Sequence, residues 1–491
     1  MSALSLVRSE LLRQHNFIDQ QWRAGADERW LAVQDPATDM PFARVPDSTA
    51  ADAAAAVEAA HAAFPAWRAL TGRERAQFLK RWHALILDNR DDLARLISHE
   101  QGKPLAEARG EVMYSASYVE WFAEEAPRLY GDVIPAPAPG RKMMMVREPV
   151  GVVAAITPWN FPAAMITRKI APALAAGCTV VAKPAEDTPL TSLALARLAQ
   201  EAGFPAGVLN MVTAARERAA GVVDVWLADG RVRKLTFTGS TPVGKHLARE
   251  SAATLKRVSM ELGGNAPFIV FEDADLDAAV AGLMAAKFRN GGQTCVCPNR
   301  VFVHRAVHED FVARLAEKVA ALKVGPASSA DSEIGPMINA RAVDKIARHV
   351  DDALAHGARV VTGGQRLPAL GPNYYAPTLL AGVTAAMCCS REETFGPVVP
   401  ITRFDDEAEV LAAANDTPFG LAAYFYTRDM ARAWRVAGLL ETGLVGINEG
   451  ALAAEVAPFG GIKESGYGRE GSRQGLEDYT QMKYLCQGSL G

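Results

Sequence analysis

The strongest constraint on this chain is a series of short apolar runs separated by helical patterns. Residues 151–156, 179–183, 207–212 and 234–240 each have strand length and carry apolar residues on both faces. Alternation of this kind specifies an α/β fold with a parallel sheet covered by helices. Ligands of such sheets bind beyond the carboxyl ends of the strands. Lys183, Glu186, Gly239 and Ser240 all fall at those ends. The segment from Gly239 to Gly244 lacks the G-x-G-x-x-G spacing. It still keeps a glycine at a strand end and another inside the following helix, so its amides suit a phosphate at a helix N-terminus. A lysine and a carboxylate on the neighbouring strand end suit the two hydroxyls of a ribose.

The reactive residues cluster around Gly291-Gly292-Gln293-Thr294-Cys295-Val296-Cys297. A helical pattern runs from Asp273 to Asn290, with Asp275 near its start and Gly291 past its end. The thiol that follows reads either as a small buried hydrophobe or as a nucleophile. One residue between Cys295 and Cys297 is too few for a zinc knuckle, and no metal is expected. Glu261 closes an apolar run before two glycines. Burial would raise its pKa and make it a base near neutrality, or else it pairs with a buried cation. Asn160, in Thr157-Pro158-Trp159-Asn160-Phe161-Pro162, reads as the N-cap of the next helix or as an amide donor to a developing oxyanion.

The remaining sequence reads as support. Residues 47–129 are helical in pattern and show no chemistry of their own. Alternate prolines over 132–140 mark an extended connection or hairpin tip, and Met143–Val146 an edge strand. A net charge of −4 gives no electrostatic case for nucleic acid. No apolar run approaches the roughly eighteen residues of a membrane span, and the N-terminus does not read as a signal peptide. Six cysteines in 491 residues make no disulfide framework and suit a reducing, cytoplasmic setting.

Taken together, Pro158-Trp159-Asn160-Phe161, Glu261-Leu262-Gly263-Gly264, Gly292-Gln293-Thr294-Cys295, Glu393-Thr394-Phe395-Gly396-Pro397-Val398 and Pro458-Phe459-Gly460-Gly461 resemble the aldehyde dehydrogenase superfamily. The likeness runs from about Asn16 to Gln487, with the motifs in order. It implies a Rossmann-like NAD(P)-binding domain (1–122 and 146–258) and an α/β catalytic domain (259–450). It also implies a small β oligomerisation arm (123–145 and 470–491) and a segment, 451–469, returning to the active site. Homodimers or homotetramers follow from the same resemblance.

The resemblance makes Cys295 the nucleophile, Asn160 the oxyanion donor and Glu261 the base for thioester hydrolysis. It places the cofactor against Thr157, Pro158, Trp159, Lys183, Ala185, Glu186, Gly239, Ser240, Leu262, Glu393 and Phe395. A carboxylate at Glu186 favours NAD, with NADP as the alternative. Within the superfamily the chain is most similar to succinate-semialdehyde dehydrogenases, through residues 161–169, 287–290 and 295–297. That likeness assigns Arg168 and Arg289 to a distal substrate carboxylate, in a pocket with Phe161 and Phe459, and suggests a redox switch between Cys295 and Cys297. It departs at Ala453, where the subfamily offers a serine. A roomier pocket there opens the case for glutarate semialdehyde or another bulkier aldehyde acid against succinate semialdehyde. A cofactor-independent thiol esterase is the reading from a different class, but it leaves Lys183, Glu186 and Glu393 without a purpose.

Overall fold

The computed structural model describes residues 4–488, so the last residues of the expected arm, 489–491, lie outside the described chain. The first sheet has eight strands, in the spatial order Gln21–Arg23, Asn16–Ile18, Leu209–Met211, Thr179–Lys183, Val152–Ile156, Val232–Thr238, Arg257–Glu261 and Gly466–Tyr467. The five from Leu209–Met211 to Arg257–Glu261 are parallel, and antiparallel strands close both edges. Val152–Ile156 and Thr179–Lys183 are buried at every position, which is why they read as unbroken apolar runs.

The second sheet has seven strands, in the order Arg359–Thr362, Thr378–Ala381, Val398–Phe404, Pro298–His304, Ala266–Val270, Ala422–Tyr426 and Leu444–Ile447. All of its pairings are parallel except the first. Strand Arg257–Glu261 belongs to the first sheet and Ala266–Val270 to the second. Glu261 therefore stands at the seam, one short connection from the sheet that carries the thiol loop.

The proline-rich segment forms a hairpin. Asp132–Ile134 pairs antiparallel with Lys142–Pro149, which pairs in turn with Thr480–Gln487. The methionine run is thus the middle strand of a three-stranded sheet and not an edge, because the C-terminal strand covers its open side. Four helices, Ala50–Ala69, Gly72–Asp88, Arg90–Gln101 and Leu105–Glu125, fill the region read as helical. The helix before the thiol runs from Leu276 to Phe288, with Asp275 accepting a hydrogen bond from the Ala278 amide. It stops two residues earlier than its pattern suggested. Asn290, Gly291 and Gly292 all have positive φ and turn the chain out of the helix. A side chain at Gly292 would meet the Gly396 carbonyl at 2.3 Å, so the thiol loop lies directly on the 393–398 segment.

Candidate active site

Asn160 does not cap its helix. Phe161 occupies the cap position of Pro162–Ala176 without a side-chain bond. The buried first-turn amides of Ala163 and Ala164 instead donate to Glu111 Oε1, at 2.8 and 3.3 Å. That frees the Asn160 side chain, whose Nδ2 donates to the carbonyl of Gln293 at 3.0 Å. Gln293 is held in turn by donating from Nε2 to Asn290 O and accepting from Ile338 N, both at 3.0 Å. The oxyanion candidate and the thiol loop are therefore joined before any substrate arrives.

Cys295 is half-buried and Cys297 fully buried, and both are free thiols. Cys297 Sγ lies 3.7 Å from Lys287 O and 3.9 Å from Pro298 O. Burial pushes the Cys295 thiol up to about 12, with the Arg168 guanidinium opposing the shift. A Cβ at Gly264 would sit 2.4 Å from the Cys295 carbonyl, so the second glycine of Glu261-Leu262-Gly263-Gly264 is what lets the thiol loop approach the seam.

Both carboxyl oxygens of Glu261 are buried and without a hydrogen-bond partner among the described residues. A Cβ at Gly460 would lie 2.8 Å from Glu261 Oε1, so the Pro-Phe-Gly-Gly turn closes over the carboxyl group. Burial raises the Glu261 pKa well above the ordinary range, and the charge of Glu470 adds to the shift. Glu470 is itself ion-paired to Arg168 and Lys169, all three side chains being buried. Burial disfavours its charge, but the two cations outweigh that and hold its carboxyl below the ordinary range. Nothing local in the sequence marks Glu470 or Lys169 as neighbours of Glu261, since Lys169 and Glu470 are 301 residues apart.

The two candidate substrate arginines share an aromatic wall. The Arg168 guanidinium lies 4.2 Å from the Phe459 ring centroid and 5.5 Å from that of Tyr118. The Arg289 guanidinium lies 4.7 Å from Phe161 and 5.8 Å from Tyr114, whose hydroxyl meets that of Tyr118 at 3.0 Å. Arg168 spends its Nε edge on Glu470, while Nη2 has no hydrogen-bond partner among the described residues. Arg289 is exposed and forms no ion pair among the described residues. Ala453 is half-buried in the loop before Pro458 and offers no polar side-chain atom.

The cofactor candidates gather at the carboxyl ends of the first sheet. The Thr157 amide donates to Lys183 O at 3.2 Å, which places 157–160 beside Lys183. Lys183 is buried, donates to Pro184 O at 3.1 Å, and lies 3.8 Å from Glu186. Ala185 is buried beside them. Gly239 donates to Glu261 O at 3.0 Å, and Ser240 precedes the helix Thr241–Ser251 without a side-chain cap. At Gly244 a side chain would meet Leu262 at 2.3 Å, so that helix packs tightly against the residue after Glu261. Across the cleft, Glu393 is half-buried and accepts from Gly264 N at 3.2 Å. Burial pushes its carboxyl up to about 7, with that amide opposing the shift. Phe395 has a φ of +58° and meets Trp159 edge-on, with ring centroids 5.5 Å apart. An amide-lined helix start, a buried ammonium and two carboxylates thus lie on segments that the Trp159–Phe395 contact brings together. That donor set fits a dinucleotide: phosphate at the helix, one ribose at Lys183 and Glu186, the other at Glu393.

Among the described residues, no helix is long and apolar enough to cross a membrane. The sequence model of the aldehyde dehydrogenase family matches residues 22–485. The glutarate-semialdehyde dehydrogenase of Pseudomonas aeruginosa is 53% identical over 99% of this chain and 100% of its own. The 3-sulfolactaldehyde dehydrogenase of Pseudomonas putida is 54% identical over 99% of each chain. The crystal structure of succinate-semialdehyde dehydrogenase from Burkholderia pseudomallei superposes with a TM-score of 0.97 at 53% identity, covering 99% of this chain and 100% of the other. With the family model matching nearly the whole chain and the amide, carboxylate and thiol candidates following one another along it as Asn160, Glu261 and Cys295, the chain belongs to the aldehyde dehydrogenase family.

Proposed function

We propose that this enzyme oxidises a small aldehyde with a distal carboxylate to the corresponding dicarboxylic acid, using NAD with NADP as the alternative. Succinate semialdehyde is the substrate favoured by the paired arginines. Glutarate semialdehyde is the second reading, favoured by the apolar, unhindered side chain at Ala453. The observation that carries the proposal is the aromatic wall on which Arg168 and Arg289 stand beside Cys295, Asn160 and Glu261. A guanidinium fork matches a carboxylate in geometry and charge.

In this reading Cys295 gives its thiol proton to solvent water and its Sγ adds to the aldehyde carbon. The oxygen that becomes negative is held by Asn160 Nδ2 and the Cys295 amide, each contributing about 3 kcal/mol. Bound NAD supplies the hydride acceptor, which leaves a thioester on Cys295. Glu261 then takes a proton from water as that water attacks the thioester carbon, and Cys295 departs as the leaving group. Because burial strengthens the affinity of Glu261 for a proton, its ionised form is a stronger base than an exposed carboxylate.

The first sheet would hold the cofactor and the second the thiol. The three-stranded sheet, whose Met482 and Tyr484 are exposed, would join copies into a homodimer or homotetramer. Specificity constants for a panel of aldehydes, with and without terminal carboxylates and with NAD or NADP, test the proposal. Equal constants for carboxylated and neutral aldehydes of one length would remove the arginines from substrate recognition. Ester hydrolysis without NADH formation on aldehyde addition would favour the esterase reading.

A further inference from the structure

The junction between helices Arg90–Gln101 and Leu105–Glu125 reads as scaffold, yet it places a buried charge pair behind Asn160. Lys103 and Glu111 are each 2% exposed. The Lys103 ammonium donates to Glu111 Oε2 at 2.6 Å and to the main-chain carbonyl of Asn160 at 2.8 Å, and it lies 3.8 Å from the Phe161 ring centroid. Asn290 Nδ2, from the thiol loop, donates to the same carbonyl at 2.9 Å. Glu111 Oε1 accepts the Ala163 and Ala164 amides. Among the described residues, the side-chain hydrogen bonds of the pair beyond its own contact thus all go to residues 160–164.

A buried ion pair is weak evidence for stability, because an apolar pair of similar volume stabilises as well or better. What two buried charges supply here is direction. A cation fixes the carbonyl of residue 160 while an anion fixes the helix start that follows. The Asn160 backbone is then set from both sides, and its amide is left only side-chain rotation. Catalytic donors are effective when held in place before the charge develops. We propose that Lys103 and Glu111 are positioning residues for Asn160, holding its amide where the substrate oxygen becomes negative. The inference rests on the reading of Asn160 as the oxyanion donor.

A double-mutant cycle tests it. Lys103→Met and Glu111→Gln, alone and together, are compared in the wild-type and Asn160→Ala backgrounds. Three quantities are read: the rate of the pre-steady-state NADH burst, the cofactor dissociation constant and Tm. In the wild-type background, Lys103→Met is expected to slow the burst by about 10²-fold with cofactor affinity unchanged. In the Asn160→Ala background the further loss is expected to be less than about twofold, since the group being positioned is gone. Equal losses in both backgrounds would show that the pair acts elsewhere and overturn the proposal. So would an unchanged burst in a folded Lys103→Met enzyme. If Lys103→Met fails to fold because Glu111 is left unpaired, the double variant with Glu111→Gln carries the same comparison without a buried charge. Full burst rate in Asn160→Ala alone would instead overturn the underlying reading of Asn160. That failure is seen in the single variant, before any Lys103 result is considered.

Discussion

Arg168 and Glu470 form an ion pair in the interior, their side chains 2% and 3% exposed, with Lys169 closing on the other oxygen of the same carboxylate. The pair sits beside Glu261, and this decides the state of the base. Glu470 stays ionised because two cations hold it. Its charge then adds to burial in keeping Glu261 protonated above the ordinary carboxylate range.

Glu470→Gln is expected to move the Glu261 limb of the pH–rate profile to lower pH, because a negative neighbour is removed and two cations are uncovered. It should also lower stability at neutral pH by about 3 kcal/mol, as for other broken buried pairs. The folded-state pKa of Glu470 is depressed, so its stabilisation is present above the unfolded carboxylate range and is lost as pH falls through the folded value. The Tm gap between wild type and variant should therefore narrow in acid. A profile that does not move would mean that the Glu470 charge is not felt at Glu261.

Cys295→Ala is expected to abolish aldehyde oxidation while cofactor affinity stays near normal. Since burial pushes the free thiol up to about 12, alkylation of the cofactor-free enzyme by iodoacetamide should keep accelerating from pH 7 to pH 10. A rate that levels off near neutrality would show a thiolate already formed at rest.

Glu261→Gln should leave the NADH burst in place and slow steady turnover by about 10²-fold or more, as loss of a positioned base does. Rapid-quench and stopped-flow measurements separate the two phases. Equal slowing of both would give Glu261 a role before the thioester forms.

Arg289→Ala and Arg168→Ala should each raise KM for carboxylated aldehydes by roughly ten- to a hundred-fold relative to neutral ones of the same length. The two variants should differ in stability. Arg289 is exposed and without an ion pair among the described residues, so its loss should leave Tm nearly unchanged. Arg168→Ala strands Glu470 and should lower Tm by several degrees. Ala453→Ser should shift preference towards the four-carbon semialdehyde, and a panel of chain lengths would show it.

Glu186→Ser should narrow the preference for NAD over NADP, by removing ribose hydrogen bonds and a repulsion towards a 2′-phosphate. The ratio of specificity constants for the two cofactors is the measurement. An unchanged ratio would place discrimination on another residue of the cleft.

The main secondary-structure elements, and the fold class they build, were legible in the chain alone. Val152–Ile156 and Thr179–Lys183 could only be buried parallel strands, because no polar face is left for water. Asp275 marked a helix start, and Gly291-Gly292 the loop that presents Cys295, because capping and positive φ are local properties of the chain. The tertiary structure decided everything that depends on which distant group arrives at a buried atom. Local rules made Asn160 an N-cap candidate. Folding gave that task to Glu111, 52 residues before Ala163, and turned the Asn160 amide onto the thiol loop. Lys103 and Glu470 looked like ordinary charges in helical and C-terminal segments, and only packing stripped them of water. A charge acquires its partner and its cost when it is buried, and no sequence window contains both the group and the groups that bury it.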